Sequence, residues 1–225
     1  MDFGRPDWQQ GKGIFMNETP FGDPILPGTP ASGIIQRAKD IILKPTETWA
    51  AIDTEPATTQ SIYVPYVMIL AAIGPAAQFI GGQVFGYSFL GVSFHPPLVG
   101  SLVSAVVSYG LGLASVFLLA LVIDGLAPNF GGQKNQIQAL KVAAYSSTAA
   151  WLAGIFGLVP ALAILAIVGL YSLYLLYLGL PILMKVPQDK AIGYTVVVVI
   201  VAIVLFIVIG VIMASLTAPA VGVRL

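Results

Sequence analysis

The chain has no cysteine, a single histidine and little charge: ten Lys or Arg and ten Asp or Glu in 225 residues, 9% in all, where a soluble domain carries about 25%. Without cysteine it can supply no thiolate nucleophile, disulfide framework, Cys zinc site or iron-sulfur cluster. With a formal net charge of zero it has no basic excess for a nucleic-acid backbone, and nucleic acid is not an expected partner. No cofactor and no metal are expected. What it has in abundance is apolar: 57% of its residues are hydrophobic, which places it among membrane proteins and makes the lipid bilayer its first partner.

Three stretches contain no Asp, Glu, Lys or Arg: Pro56 to Ile123, Val142 to Met184 and Ala191 to Val223, of 68, 43 and 33 residues. A crossing takes about 20 apolar residues, so they hold two, two and one. The expected spans are Ile62 to Gly82, Leu98 to Val122, Leu140 to Gly157, Pro160 to Leu180 and Tyr194 to Leu216. Only the turn Phe156 to Pro160 separates the third from the fourth, which predicts a tight antiparallel hairpin. Orientation follows from the cations, which stay cytoplasmic in short loops. With the N-terminus inside, Arg5, Lys12, Arg37, Lys39, Lys44, Lys134, Lys141, Lys185 and Lys190 are cytoplasmic and only Arg224 lies on the far side. The first apolar run starts late and has no cleavage-site pattern, so it is expected to be retained rather than removed as a signal peptide.

Residues 1–30 carry five prolines and five glycines, a composition that disfavours regular structure. Phe3, Trp8, Phe15 and Phe21 are spread along this extension, the pattern of an extended segment that docks aromatic anchors into pockets on a partner. Residues 31–56 read as interfacial amphipathic helices. Ser32 is a candidate N-cap, and Ile34, Ile35, Ala38, Ile41 and Ile42 share one face opposite Gln36, Arg37, Asp40 and Lys44. Pro45 opens a second helix with Trp49 and Ile52 on one face, and Pro56 stops it. Residues 57–217 form the membrane domain, and 218–225 a short non-cytoplasmic tail. Ile34, Ile35, Ile41, Ile42 and Trp49 are expected at the membrane interface. So is Tyr177, which ends the stripe Tyr171, Tyr174, Tyr177.

Away from their ends the spans hold no Asp, Glu, Lys, Arg or His, so no carboxylate pair exists for a protease or a proton relay. His95, before Pro96 and Pro97, is the sole imidazole, and no G-x-S-x-G elbow accompanies it. The chain is read as not an enzyme. Its buried polar atoms fall at Gln78, Gln83, Ser104, Ser108, Tyr145, Ser146, Ser147 and Thr148. Small residues recur at four-residue spacing: Gly82 with Gly86, then Ser104, Ser108 and Gly112, then Ser146, Ala150 and Gly154. Such faces serve as helix-packing seams. Alternatively Gln78, Gln83 and Ser146 to Thr148 line a polar path beside a break at Gly74-Pro75.

Three segments carry a resemblance that covers about Ile41 to Leu216. They are Lys44-Pro45-Thr46-Glu47-Thr48-Trp49-Ala50-Ala51-Ile52, then Ala143-Ala144-Tyr145-Ser146-Ser147-Thr148, and then Leu173-Tyr174-Leu175-Leu176-Tyr177-Leu178-Gly179-Leu180-Pro181 continuing through Met184-Lys185-Val186-Pro187 to Asp189-Lys190-Ala191. In these the chain resembles the bacterial branch of the Yip-domain family of five-span membrane proteins. The family often places a proline soon after the Tyr-Ser-Ser-Thr stretch, where this chain has Ala149-Ala150, so the kink expected there is in doubt. The resemblance implies an all-α integral membrane protein, a five-helix transmembrane bundle in the bacterial inner membrane, with its C-terminus on the far side. It implies no activity, because the association of eukaryotic members with small GTPases and vesicle membranes does not transfer. The function expected is a non-enzymatic scaffold or accessory subunit. It would dock on other membrane-protein subunits, with a respiratory or photosynthetic complex as candidate host. A bound lipid or pigment along the helix faces is a further candidate partner. A small transporter or permeability factor and a membrane-shaping protein are the alternatives.

Overall fold

The computed structural model describes residues 30–89 and 92–217. Phe3, Trp8, Phe15 and Phe21 of the extension, and the tail from 218 onward, lie outside the described residues. The first helix, α1 (Pro30–Leu43), begins at Pro30, which puts Ser32 inside its first turn rather than at its N-cap. Pro45 ends it, since a residue preceding proline is driven out of the α region. Lys44 sits at φ −134, ψ 57, and Pro45 takes the first position of α2 (Pro45–Thr54). Pro56 acts in the same way on Glu55, whose ψ of 127 is extended.

The first pass along the bundle is α3 (Thr59–Ile62), a π turn over Tyr63–Val67 and α4 (Met68–Val84). Thr58 and Ser61 form a reciprocal capping box at its start. The expected break at Gly74-Pro75 is not there, for Pro75 lies inside the continuous α4. The irregularity comes earlier, at Val64 (φ −109, ψ 110) before the cis-linked Pro65. A short antiparallel hairpin, β1 (Tyr87–Phe89) and β2 (Val92–Phe94), then turns the chain, pairing Tyr87 with Phe94. It is an exception to an otherwise helical design. The second pass is the unbroken α5 (Leu98–Leu126).

The third pass is where the count of five regular spans proves inexact. Four helical runs are long and apolar enough to cross a membrane: Thr59–Val84, Leu98–Phe130, Pro160–Leu183 and Gln188–Ser215. The third pass is instead divided into α6 (Gln136–Ser146), α7 (Thr148–Ala153) and a 3-10 segment, Gly154–Leu158. Its division at Ser147 needs no proline. Ser147 Oγ donates back to the Ala143 carbonyl at 2.8 Å and Thr148 Oγ1 to that of Tyr145 at 2.7 Å. Hydroxyls that back-bond in this way compete with the helical ladder and bend it.

After Val159 the chain returns through a 3-10 run, Pro160–Leu170, and α8 (Tyr171–Leu183). Eleven residues in 3-10 geometry cover about 22 Å, against about 16 Å as α-helix, so the return reaches further for its length. Gly169 meets Ala150 and Ala153, which makes the hairpin antiparallel, as the short turn predicted. The last pass is α9 (Gln188–Thr217), dominated by Val and Ile.

The core gathers at the end of the bundle where α2, α6, α8 and the start of α9 meet. Trp49, Ile52, Leu140, Leu175, Leu180, Met184 and Tyr194 are buried there in one cluster. A smaller cluster of Ile34, Ala38, Tyr66 and Leu70 seats α1 on α4. Cover is lost along α9, where none of the described residues beyond Val198 is buried.

Candidate functional site

Two features stand out among the described residues: a hydrogen-bonded polar end, and long apolar flanks that those residues leave uncovered. Lys141 organises the first. It lies on α6 among Ala139, Leu140, Val142 and Ala143, all buried, and is itself 3% exposed. Its Nζ donates to the carbonyls of Ile52 at 2.8 Å and Glu55 at 2.6 Å, the free carbonyls at the end of α2. A helix C-terminus carries partial negative charge as well as unpaired carbonyls, so an ammonium there meets both needs. Gln138, one turn earlier, donates to the Asp53 carbonyl at 2.9 Å and to its carboxylate at 3.1 Å.

Two ion pairs complete the end: Lys185 to Asp53 and Arg37 to Glu55, each at 2.5 Å. Lys185 follows α8 in the left-handed conformation, φ 55, a position that favours glycine. Val186 N–H returns to the Pro181 carbonyl at 3.2 Å and closes the helix. The same turn aims the Lys185 side chain at α2. Nearby, Gln133 N–H donates to the Met184 carbonyl at 2.8 Å, joining the loop after α5 to the loop after α8. Gly131 supplies the positive φ of 74 which that loop requires. Above this layer Tyr66 and Thr148 share a hydrogen bond of 2.7 Å, and the Tyr66 and Tyr145 rings meet edge-on at 4.8 Å.

The interface residues divide. Ile35 is 70% exposed and Tyr177 38%, whereas Ile34, Ile41 and Trp49 are buried and Ile42 is half-buried. Trp49, expected at the membrane interface, is buried within the bundle: α2 packs along α8, and Gly179 leaves space against which the indole lies. Trp49 Nε1 is buried without an acceptor. On α1, the apolar stripe expected at the membrane interface turns Ile34, Ala38 and Ile41 onto the chain's own bundle. Burying them there removes more apolar area from water than a surface position would.

The small and polar residues are also sorted by the packing. A close backbone approach lies between α4 and the segment Gly154–Leu158. A Cβ on Gly154 would lie 2.8 Å from Gly74 Cα, and one on Gly157 would lie 2.9 Å from Gln78 Cγ. One on Gly81 would run into the Leu158 carbonyl oxygen. Gly81, rather than Gly82, thus carries that seam, because Gly82 faces the Tyr87 ring. Gly112 has open space where a Cβ would sit. Ser104 is half-buried, Ser108 Oγ bonds back to the Ala105 carbonyl at 3.0 Å, and buried Ser146 bonds back to that of Ala143 at 3.4 Å. Gln83 Nε2 donates to Ser101 Oγ at 2.9 Å and to the Pro96 carbonyl at 3.2 Å, tying the end of α4 to the start of α5. Among the described residues no group of His, Asp and Glu side chains could hold a metal ion.

Sequence reasoning missed the role of Lys141, which it read only as a loop cation. The available signal was a lone lysine opening a run of small apolar residues, Val142-Ala143-Ala144, where a cation must find acceptors. It also missed the seam glycines Gly74, Gly81 and Gly157, since their spacing crosses between two helices.

A helical bundle with long uncovered apolar runs and one hydrogen-bonded polar end defines the class, a polytopic α-helical integral membrane protein. Within that class the chain belongs to the Yip1 domain family, whose model matches residues 39–209. It is similar to the inner membrane protein YohC of Escherichia coli strain K12, with 29% identity over 117 residues, 52% of this chain and 60% of the relative. The protein of the same name from Escherichia coli O6:H1 matches to the same extent. The chain thus spans 60% of the length of the curated relatives it matches. No solved structure matches it.

Proposed function

We propose that the chain is a non-enzymatic accessory subunit or scaffold of an inner-membrane assembly, consistent with the inner-membrane relatives it resembles. The observation that carries this reading is the bareness of its apolar flank. Along α9, Ile200, Ile203, Phe206, Ile207 and Val211 are each more than half exposed, and on α5 so are Val99, Leu102 and Val106. Membrane helices associate through close packing and small residues rather than by fleeing water. A bundle whose helices α5 and α9 keep such exposed apolar residues therefore leaves long faces for lipid and for other membrane subunits. The polar end, tied by Lys141 and Lys185, supplies a rigid platform beside them.

The transport reading has less behind it, because Gln83, Ser108, Ser146 and Ser147 are engaged within the chain. The test is extraction of the native membrane in a mild detergent, followed by native electrophoresis and mass spectrometry of the full-length chain beside a deletion of residues 2–30. Migration of the full-length chain with a larger assembly, lost in the deletion, is the expected result and would assign docking to Phe3, Trp8, Phe15 and Phe21. Two identical small species would overturn the proposal.

A further inference from the structure

Between α1, α4 and α7 runs an open groove of about 600 Å3, a volume within the usual range for small-molecule sites. Its lining includes Ile35 and Ile42 from α1, Ile69 and Ile73 from α4, Leu152 from α7, and Lys39 on its rim. Ile34, Ala38 and Leu70, which also line it, belong with Tyr66 to the buried cluster that holds α1 in place. We propose that this groove binds one acyl chain of an anionic phospholipid, with Lys39 holding the headgroup phosphate.

Three observations select this occupant. One wall, Ile69 to Ile73, belongs to the membrane-crossing run Thr59–Val84, so the groove opens where a bilayer supplies hydrocarbon chains. The opposite wall is a helix whose outer apolar residues, Ile35 at 70% and Leu43 at 66% exposure, would be costly in water and are at ease beside acyl chains. The rim then supplies the charge. Arg37 is held by Glu55, and Asp40 accepts from Gln36 at 2.7 Å, whereas Lys39 is exposed and makes no ion pair among the described residues. A free ammonium beside a wholly aliphatic slot complements a phosphate attached to a hydrocarbon chain. An extended peptide segment would leave its backbone donors and acceptors unpaired in such a lining. The inference is independent of any assembly partner.

The test is native mass spectrometry of the full-length, delipidated protein in mild detergent, titrated in turn with phosphatidylglycerol and phosphatidylcholine. The variants are Lys39→Gln, Ile69→Trp and, on the remote face of α5, Val106→Trp. The protein should take up phosphatidylglycerol saturably at one per chain, in preference to phosphatidylcholine. Lys39→Gln, at an exposed position, should weaken phosphatidylglycerol binding about fivefold and leave phosphatidylcholine unchanged. Ile69→Trp should fill the groove and abolish the one-per-chain adduct with either lipid, while Val106→Trp should match the parent chain. Helicity and elution volume identify any variant that fails to fold, and Lys39→Gln keeps the test decisive if Ile69→Trp does.

An unchanged adduct in both groove variants, or no preference between the two lipids, would overturn the proposal. Because the chain has no cysteine, introduced pairs report occupancy cleanly. In phosphatidylglycerol bilayers, a disulfide between Ile69→Cys and Phe15→Cys would place the chain's own first segment in the groove. A dimer cross-linked through Ile69→Cys alone would place a second copy there. Either would overturn it as well.

Discussion

Lys141 Nζ lies 2.6 Å from the carbonyl oxygen of Glu55, a residue 86 positions earlier in the chain. That bond, with its neighbour to Ile52, makes the end of α2 a fixed part of the bundle rather than a helix resting against it. The ammonium provides what the helix terminus lacks, and the apolar surroundings keep water from substituting.

Replacing Lys141 with Met keeps the bulk and removes the donor. The carbonyls of Ile52 and Glu55 are then left without a partner, at a cost of about 3 kcal/mol. Thermal unfolding in detergent, followed by helicity, should show a clear fall for Lys141→Met and a smaller one for Lys141→Arg, which retains donors.

The seam between α4 and the Gly154–Leu158 segment predicts opposite signs for one type of substitution. Gly81→Ala places a methyl against the carbonyl oxygens of Gly157 and Leu158, which are backbone and cannot swing aside. It should destabilise by about 1–3 kcal/mol. Gly112→Ala meets open space in the middle of a helix and should be neutral or stabilising by about 0.5–1 kcal/mol. Measuring both by the same unfolding assay separates the seam from helix propensity.

Gly179 and Trp49 should prove coupled. A Cβ at 179 would stand 2.7 Å from Trp49 Cζ2, so Gly179→Ala should cost about 1–3 kcal/mol. Trp49→Phe gives up no hydrogen bond, since Nε1 has no acceptor, and the smaller ring makes room for the methyl. The double variant should be more stable than the sum of the singles by about 1 kcal/mol, read from a double-mutant cycle.

At Lys185 two effects oppose each other. Lys185→Ala loses the pair with Asp53 and keeps the left-handed strain, and should destabilise by about 1 kcal/mol. Lys185→Gly loses the same pair but relieves a strain of about 1 kcal/mol, and should stay close to the parent chain. Unfolding at low and high salt checks the assignment, because salt should narrow only the gap between the parent chain and the variants.

Much of the architecture was legible because each device acts locally. Charge-free runs mark the passes, Pro45 and Pro56 delimit α2, and the short stretch from Phe156 to Pro160 forces a hairpin. The four long crossings follow from length and apolarity alone. The third pass was misjudged as one regular span because Ser147 and Thr148 divide it through hydroxyl bonds that hydropathy does not register. The break placed at Gly74-Pro75 fails for a related reason: Pro75 is accommodated within α4, and Gly74 is there to let Gly154 approach.

The sequence by itself determined that this is an α-helical membrane protein, where its chain turns and which groups it lacks, since composition and periodicity carry that information residue by residue, while the Yip resemblance rests on its three matched segments. Only the tertiary structure decided that Trp49 and Ile41 belong to the core, that Lys141 caps α2, that Gly81 rather than Gly82 carries a seam, and that a groove opens beneath Lys39. These depend on which segments face each other across many tens of residues, and a pattern along one helix cannot specify its neighbour.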